Sequence, residues 1–453
     1  MDAQAAASHS VAIIGAGPAG LFAARELAEN GVRVVLFNRD IKPGGLAEYG
    51  IYPDKHRMKE GLRKQFRAIL AHPNITYYGN VFIGKDGDLS IDQLRALGFN
   101  AILVTAGAQG TKWLGLPGED LNGVYHAKDL VYHYNLLPSF SQKVFHFGRR
   151  AAIIGAGNVM TDIARYLITR AQVDEIVVVA RRGPGEVKFA KNELQEIVAN
   201  LDLEAFEAEV RRNRFLMLSL KQNPLAPVEF VRSALPMAVP TSYPTRLAIR
   251  FLLSPVRILG GDQGNVTGLE VEHNTLIEVN GRLHARGLGT YEVLDVDTII
   301  FAIGDRVDEQ LGLPLNRHEF AINPNPRFPM DNGSYEVYDP QSATVIPDIF
   351  VAGWSRQAST GLVGVARRDG ILGAQSVSKY LETQSQPAGD AQFLVAHYLN
   401  QLDKIVIEKA DLLRLEAIEK QRAAQMNLEE FKFASNEDML RELTQQRQTT
   451  GQV

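Results

Sequence analysis

Two stretches constrain this chain more than any others: "VAIIGAGPAGLFAARELAENGVRVVLF" from residue 11 and "AAIIGAGNVMTDIARYLITRAQVDEIVVVARRG" from residue 151. Each opens with a short apolar run, turns through glycines, continues in helix formers and closes in a second apolar run. An apolar run without alternation reads as a strand buried on both faces. Strand, turn, helix and strand in that order make a βαβ unit with parallel strands. Two such units, 140 residues apart, ask for two parallel sheets, and 453 residues leave room for two or three domains. The predicted fold class is therefore α/β, with two Rossmann-like dinucleotide-binding domains.

The glycine spacing says what each turn is for. Gly15, Gly17 and Gly20 form G-x-G-x-x-G. The first glycine makes the tight turn, the second lets a pyrophosphate approach the backbone, and the third lets helix and strand pack closely. The amides of the helix N-terminus then face the negative charge. Gly155 and Gly157 repeat the first two positions, but the third is Met160.

The ends of the second strands differ too. The first unit closes before Asn38, at a position where an acidic residue ordinarily meets an adenosine ribose. The second closes in Arg181 and Arg182, charge that a buried strand cannot use. A guanidinium presents a fork of N–H donors suited to phosphate, and arginine at this place accommodates the 2′-phosphate of NADP. The first unit is thus expected to hold FAD and the second NADPH. "KPGGLAEYGIYP" adds a second glycine-rich loop of the kind that wraps the flavin end of FAD.

Composition then excludes whole classes. The chain has no cysteine, so no disulfide exchange, thiolate nucleophile or cysteine-ligated cluster is possible through its own residues. The ten histidines fall in no metal-ligand spacing, and no metal is expected. A formal net charge of −4 gives no pull towards nucleic acid. No apolar run approaches the roughly 20 residues of a membrane span. "MDAQAAASHS" lacks both the basic residues and the apolar core of a targeting segment, so a cytoplasmic location is expected.

The remaining segments suggest an insertion. "FNAILVTAGA" (99–108) reads as a strand leaving the FAD domain, with "DTIIFAIGD" (297–305) its counterpart in the second domain. "PDIFVAGWSRQASTGLVGVARRDGILGAQSV" reads as the returning FAD segment, a strand followed by a helix whose N-terminus faces the flavin. The expected domains are 1–108 (FAD, first segment), 109–345 (NADPH, inserted) and 346–453 (FAD, returning segment with a helical tail). The tail from about 388 has apolar residues at helical spacing, read as packing on the FAD domain or as an oligomer contact. The closing "TQQRQTTGQV" reads as disordered.

With these motifs in this order, the chain resembles the adrenodoxin reductase family, which includes NADPH-dependent ferredoxin reductases. The resemblance is carried by "GAGPAG", "GLAEYGIYPDK", "GNVFIGKD", "TAGAQGTKWLGLPGEDLNGVYHAKDLVYHYN", "ARRGP", "KNELQEI" and "VAGWSRQASTGLVG", and it spans nearly the whole chain. It implies that Ala19, Asn38, Leu46 and Val81 lie along FAD. Trp354 would pack on the flavin, with Gly361, Leu362 and Val363 offering it backbone groups and Gly361 also approaching the nicotinamide. Ala156, Gly157, Asn158 and Val159 would cradle the NADPH pyrophosphate, Arg181 and Arg182 its 2′-phosphate, and Glu193 its adenosine ribose.

The implied reaction is hydride transfer from NADPH to the flavin, then one-electron delivery to ferredoxin or a similar small acidic redox protein. Asp54 and Lys55 are the nearest candidates for tuning the flavin. They stand where the family has Pro-Asp-His, with the histidine displaced here to His56. Arg246 and Arg250, four apart in "TRLAIRFLLSPVR", are the candidate docking cations for the carrier. Two other readings stay open. "GGL…YGI" is shared with the small subunit of glutamate synthase, an electron-transfer subunit. A flavoprotein that senses NADPH without turnover would also carry these motifs.

Overall fold

The computed structural model describes residues 9–187, 189–385 and 390–449. The strands that build its main sheets are, in chain order, β1 (Ser10–Ile14), β2 (Arg33–Phe37), β3 (Ile75–Tyr78), β4 (Ala101–Val104) and β5 (Val124–His126). There follow β6 (Arg150–Ile154), β7 (Glu175–Ala180), β8 (Arg246–Phe251), β9 (Leu253–Gly260) and β10 (Val266–Val279). The last are β11 (Arg282–Leu294), β12 (Thr298–Phe301), β13 (Glu336–Asp339) and β14 (Thr344–Val351). The helices used below are α1 (Pro18–Glu29), α2 (His56–Leu70), α3 (Asn158–Tyr166) and α4 (Leu203–Ser219). After them come α5 (Val363–Leu381), α6 (Lys409–Gln425) and α7 (Asn436–Thr449).

The chain divides into two compact units. The first has a six-stranded sheet in the order β13-β14-β4-β1-β2-β3, parallel except for the β13–β14 pair. Its strands are buried on both faces, and the period of two divides them between two cores. Val11, Ile13, Val34, Leu36 and Leu103 enter one core with Leu21 and Leu27 of α1 and Leu415 and Ile418 of α6. Their neighbours Ala12, Ile14, Val35, Phe37 and Val104 enter the other. This is why the sequence shows unbroken apolar runs here rather than alternation. Helix α1 stops where Gly31 turns left-handed (φ +80°). The Gly31 and Val32 amides then reach back to the Ala28 and Leu27 carbonyls at 3.1 Å each, the paired bonds of a glycine helix stop.

The second unit has a five-stranded, all-parallel sheet in the order β5-β12-β6-β7-β8. An antiparallel sheet β9-β10-β11 belongs to the same unit. Ala152, Ile154, Val179 and Phe301 of the parallel strands share a core with Leu269 and Val271 of β10.

The boundaries differ from those expected at 108 and 346. The first unit runs to Thr111, takes back Tyr132–Gln142, and resumes at Gly304. The reason lies in β13, which pairs antiparallel with β14 at the sheet edge (Glu336 opposite Phe350). That pairing ties 304–345 to the first unit. In the tail, Leu412 of α6 and Met439 and Leu443 of α7 enter the first unit's core. Helix α7 runs to Thr449, so most of "TQQRQTTGQV" is helical, and its last four residues lie outside the described ones, as do residues 1–8. Among the described residues no helix is long and apolar enough to cross a membrane.

Candidate cofactor sites

The first glycine turn is forced by contact. Gly15 has φ +107°, and a Cβ there would lie 2.6 Å from the Thr105 carbonyl oxygen. A Cβ on Gly20 would lie 2.0 Å from the Gly15 oxygen and 2.5 Å from Thr105 Oγ1. Gly17 is the opposite case: it is the N-cap of α1, uses no side-chain cap, and a Cβ on it meets nothing within 4 Å. The open space sits at the helix end that favours negative charge. Behind it, Ala19 is nearly buried, and Cβ atoms on Gly353 or Gly370 would lie 2.7 and 2.2 Å from it. The returning segment therefore packs against the fingerprint helix through bare backbone.

The second glycine loop is fastened to the first. The Gly44 amide donates to the Ala16 carbonyl at 2.7 Å, and a Cβ on Gly45 (φ +50°) would lie 3.2 Å from the Gly17 Cα. Leu46 opens a short helical turn and packs on Tyr49, Tyr132 and Leu137. Asn38 is 7 % exposed. Its Oδ1 accepts from the Ala16 amide at 3.2 Å, and its Nδ2 donates to the Asp40 and Lys42 carbonyls at 2.8 and 2.9 Å. An amide has two N–H donors and two acceptor lone pairs. Asn38 thus keeps one lone pair for a ribose hydroxyl and spends the rest bracing both loops. Val81 has its side chain in the apolar core and its amide on the Asn38 carbonyl, so it can offer a ligand its backbone carbonyl.

Asp54 is exposed, and Lys55 is the N-cap of α2. One turn further on is a residue the sequence did not flag. Lys59 is 1 % exposed, and its Nζ donates to Asn135 Oδ1 at 2.9 Å. Burial, with Lys432 nearby, pushes its ammonium down to about 8. The available signal was its i+4 spacing from Lys55. His56 instead faces Glu429 and Glu430, at 3.2 and 3.6 Å.

In the returning segment, Trp354 Nε1 donates to the Thr360 carbonyl at 2.9 Å, closing the loop that leads to Gly361 (φ +75°). Leu362, 62 % exposed, is the N-cap of α5, and Val363 is its first residue. That helix too has no side-chain cap and no acid in its first turn, which leaves its amides open to a ligand. A buried cluster holds the turn: Asp369 accepts from the Gly353 amide at 2.6 Å, from Tyr335 Oη at 3.0 Å and from both forks of Arg356. Arg356 also lies over the Tyr335 ring at 4.5 Å.

The second unit repeats the plan more loosely. Gly155 has φ +112°, and its Cβ would lie 2.4 Å from the Ala302 carbonyl oxygen. Next to Ala156, Gly157 is the uncapped N-cap of α3, and a Cβ on it meets nothing within 4 Å. Met160 fills the third position, fully buried. Val159 stays exposed, while Asn158 Oδ1 accepts from the Ala190 amide at 2.8 Å and so fixes the chain leading to Glu193. At the end of β7 both arginines are exposed. Arg182 lies 3.6 Å from Glu186, and Arg181 has no acidic partner among the described residues.

Arg246 and Arg250 are placed differently from the basic patch expected of them. Arg246 pairs with Glu175 and Asp202, and Arg250 with Glu209 and Glu292. Arg149, Arg150 and Arg257 are matched by Asp174, Asp295 and Glu270. The face is charged but balanced, because the neighbouring strands and α4 supply carboxylates the sequence does not place there.

Two parallel-sheet units, each with an open glycine turn at a helix N-terminus, define a pyridine-nucleotide oxidoreductase of the two-dinucleotide-fold class. Comparison with known proteins agrees. Residues 9–205 match the family model described as pyridine nucleotide-disulphide oxidoreductase. The chain is 31 % identical over 396 residues to NADPH-ferredoxin reductase FprA of Mycobacterium leprae, covering 80 % of this chain and 81 % of that one. It is 26 % identical to the mitochondrial NADPH:adrenodoxin oxidoreductase of Arabidopsis thaliana, over 95 % and 94 % of the two chains. The structure of Mycobacterium tuberculosis FprA in complex with NADPH superposes with a TM-score of 0.80 at 25 % identity, covering 96 % of this chain and all of that one. The chain belongs to the FprA and adrenodoxin reductase family of NADPH-ferredoxin reductases.

Proposed function

We propose that the protein is an FAD enzyme that draws electrons from NADPH and delivers them singly to a small acidic carrier of the ferredoxin type. The observation that carries this reading is the pair of open glycine turns, of which one belongs to a unit whose strand ends in the exposed Arg181 and Arg182. FAD, when bound, supplies the chemistry that joins a two-electron donor to a one-electron acceptor. The chain's own residues bind and orient. Gly17, Ala19 and the helix behind them receive the FAD pyrophosphate, Asn38 and Val81 its adenosine half, and Leu46 and Trp354 the flavin half. Gly361, Leu362 and Val363 offer backbone groups at the N-terminus of α5, and Asp369 with Arg356 holds that turn in place. On the nucleotide side Ala156, Gly157, Asn158 and Val159 meet the pyrophosphate, Arg181 and Arg182 the 2′-phosphate, and Glu193 the ribose. Asp54 and Lys55 tune the flavin environment.

Hydride transfer needs donor and acceptor in van der Waals contact, so positioning is the protein's main contribution. In this reading Arg246 and Arg250 add little to carrier docking, since carboxylates already balance them. A cytoplasmic location remains part of the proposal, although one relative is named as mitochondrial. The test is steady-state NADPH oxidation by the purified protein, first with ferricyanide and then with cytochrome c through a panel of ferredoxins. Turnover with both, with released FAD and strong preference over NADH, is the expected result. Flavin binding without turnover of any acceptor would contradict it.

A further inference from the structure

The first unit contains a cavity of about 480 Å³ that the cofactor reading leaves unused. Its walls are α2 and α6, closed by the 429–431 segment and by Lys42 and Pro43. The volume lies in the range of small-molecule pockets. Phe66, Leu70, Leu412, Leu415 and Phe431 make most of the lining apolar.

Its polar groups are specific in sign. Six glutamates line it against five lysines and arginines, and the buried cations are already matched. Lys42 pairs with Glu419 at 2.6 Å, and Arg63 with Glu48 and Glu430. No uncommitted cluster of cations is left to hold an anion. One acceptor is left over: Glu419 is 8 % exposed, its Oε2 takes the Lys42 ammonium, and its Oε1 has no hydrogen-bond partner among the described residues. A buried carboxylate oxygen without a donor is costly; Glu419 lines the cavity, and a turn of its carboxylate towards a ligand carrying a hydroxyl or an amine would relieve it. Gly44 forms part of the same neighbourhood: a Cβ there would lie 3.0 Å from Glu48 Cβ and 3.6 Å from the Phe66 ring, so a larger residue would intrude on this wall.

We propose that the cavity between α2 and α6 is a binding site for a mainly apolar, aromatic-sized molecule, uncharged or cationic, whose hydrogen-bond donor meets Glu419. Its wall includes Lys42, Pro43 and Glu48, which flank the glycine loop fastened to Gly17, so an occupant would touch the support of that loop.

The probe is 2-naphthol, titrated calorimetrically into the flavin-loaded protein, with naphthalene-2-sulfonate as an anion of similar shape but no donor. Saturable one-to-one binding of 2-naphthol is expected, at least about tenfold tighter than that of the sulfonate, from one charge-assisted bond. Ala423→Trp on α6 and Ala71→Trp at the end of α2 fill the cavity from opposite walls at positions that are not fully buried. Each should weaken 2-naphthol at least about tenfold with flavin content and circular dichroism unchanged. Absence of saturable binding, equal affinity for the sulfonate, or undiminished binding in whichever variant folds would overturn the proposal. None of these outcomes depends on turnover, so they are separable from a failure of the functional reading.

Discussion

The two glycine turns share a plan and differ in tolerance. In the first, Gly20 sits where a Cβ would be 2.0 Å from the Gly15 oxygen, and Asn38 spends three of its four hydrogen-bonding positions on neighbouring backbone. In the second, Met160 fills the corresponding place and is fully buried, while Arg181 at the strand end is exposed and has no acidic partner among the described residues. The first turn is open at Gly17 but braced by its own protein contacts, and suits a ligand that stays. The second leaves Arg181 exposed at the strand end and suits a ligand that comes and goes. One fold serves both purposes through a few side chains at the third glycine and at the strand end.

The largest expected effect comes from closing that difference at the third position. Gly20→Ala should abolish stable FAD binding, because the clash is with backbone rather than with a flexible side chain. Overpacking costs about 1–3 kcal/mol where neighbours can yield, and here they cannot. Met160→Ala should instead lower stability by about 2–5 kcal/mol through a cavity and leave the NADPH KM within about twofold, well under 1 kcal/mol. Flavin content and denaturant unfolding distinguish the two. If Gly20→Ala retains flavin, the first turn is looser than its contacts imply.

Next is the support of the flavin-side turn. Asp369→Ala leaves Arg356 buried without its carboxylate, and breaking a buried pair costs about 3–5 kcal/mol. Chemical denaturation should read that loss together with faster FAD release. A fall below 1 kcal/mol would mean that Arg356 finds solvent without the turn moving.

On the nucleotide side, Arg181→Ala with Arg182→Ala removes two charge-assisted contacts worth about 1.5–3 kcal/mol each. The KM for NADPH should rise about 100-fold or more, with NADH little changed. Equal losses for both nucleotides would show a general disturbance of the site.

A smaller effect follows from Lys59, whose ammonium is depressed from 10.5 to about 8. Below pH 8 the lysine is protonated in both folded and unfolded chains, and the penalty of burying its charge is fully present. Between about 8 and 10.5 the unfolded chain holds more protons, so this group makes stability rise with pH. At 1.36 kcal/mol per pH unit, the difference between wild type and Lys59→Met should change by roughly 2–3 kcal/mol across that window. A constant difference would place the lysine in water. Least affected should be carrier reduction in Arg246→Ala and Arg250→Ala. Both charges are already matched by carboxylates, so the ferredoxin rate should change less than about threefold, under about 1 kcal/mol. A larger loss would restore this face as the docking site.

These contrasts also separate what the sequence could say from what it could not. The apolar runs and glycine spacings placed both units, because strand burial and the turn at Gly15 or Gly155 are local requirements. The place of Arg181 and Arg182, exposed just past the strand, was legible for the same reason. The return of 304–345 to the first unit was not, since it depends on β13 choosing β14 at a distant sheet edge. Nor were the balanced surroundings of Arg246 and Arg250, which come from Asp202 and Glu209 at the cap and in the body of α4 and from Glu292 on β11. Lys59 and Arg356 were hidden likewise. Their meaning lies in Asn135 and Asp369, partners that only the fold brings near.

In the proposed function the strand-end arginines Arg181 and Arg182 make the second turn a site for a 2′-phosphorylated nucleotide. Its most direct test is calorimetric titration of the flavin-loaded protein with 2′,5′-ADP and with 5′-AMP, which differ only in that phosphate. 2′,5′-ADP is expected to bind about 100-fold more tightly or better, a preference lost when Arg181 and Arg182 are both alanine. Equal affinity for the two nucleotides in the wild-type protein would contradict it.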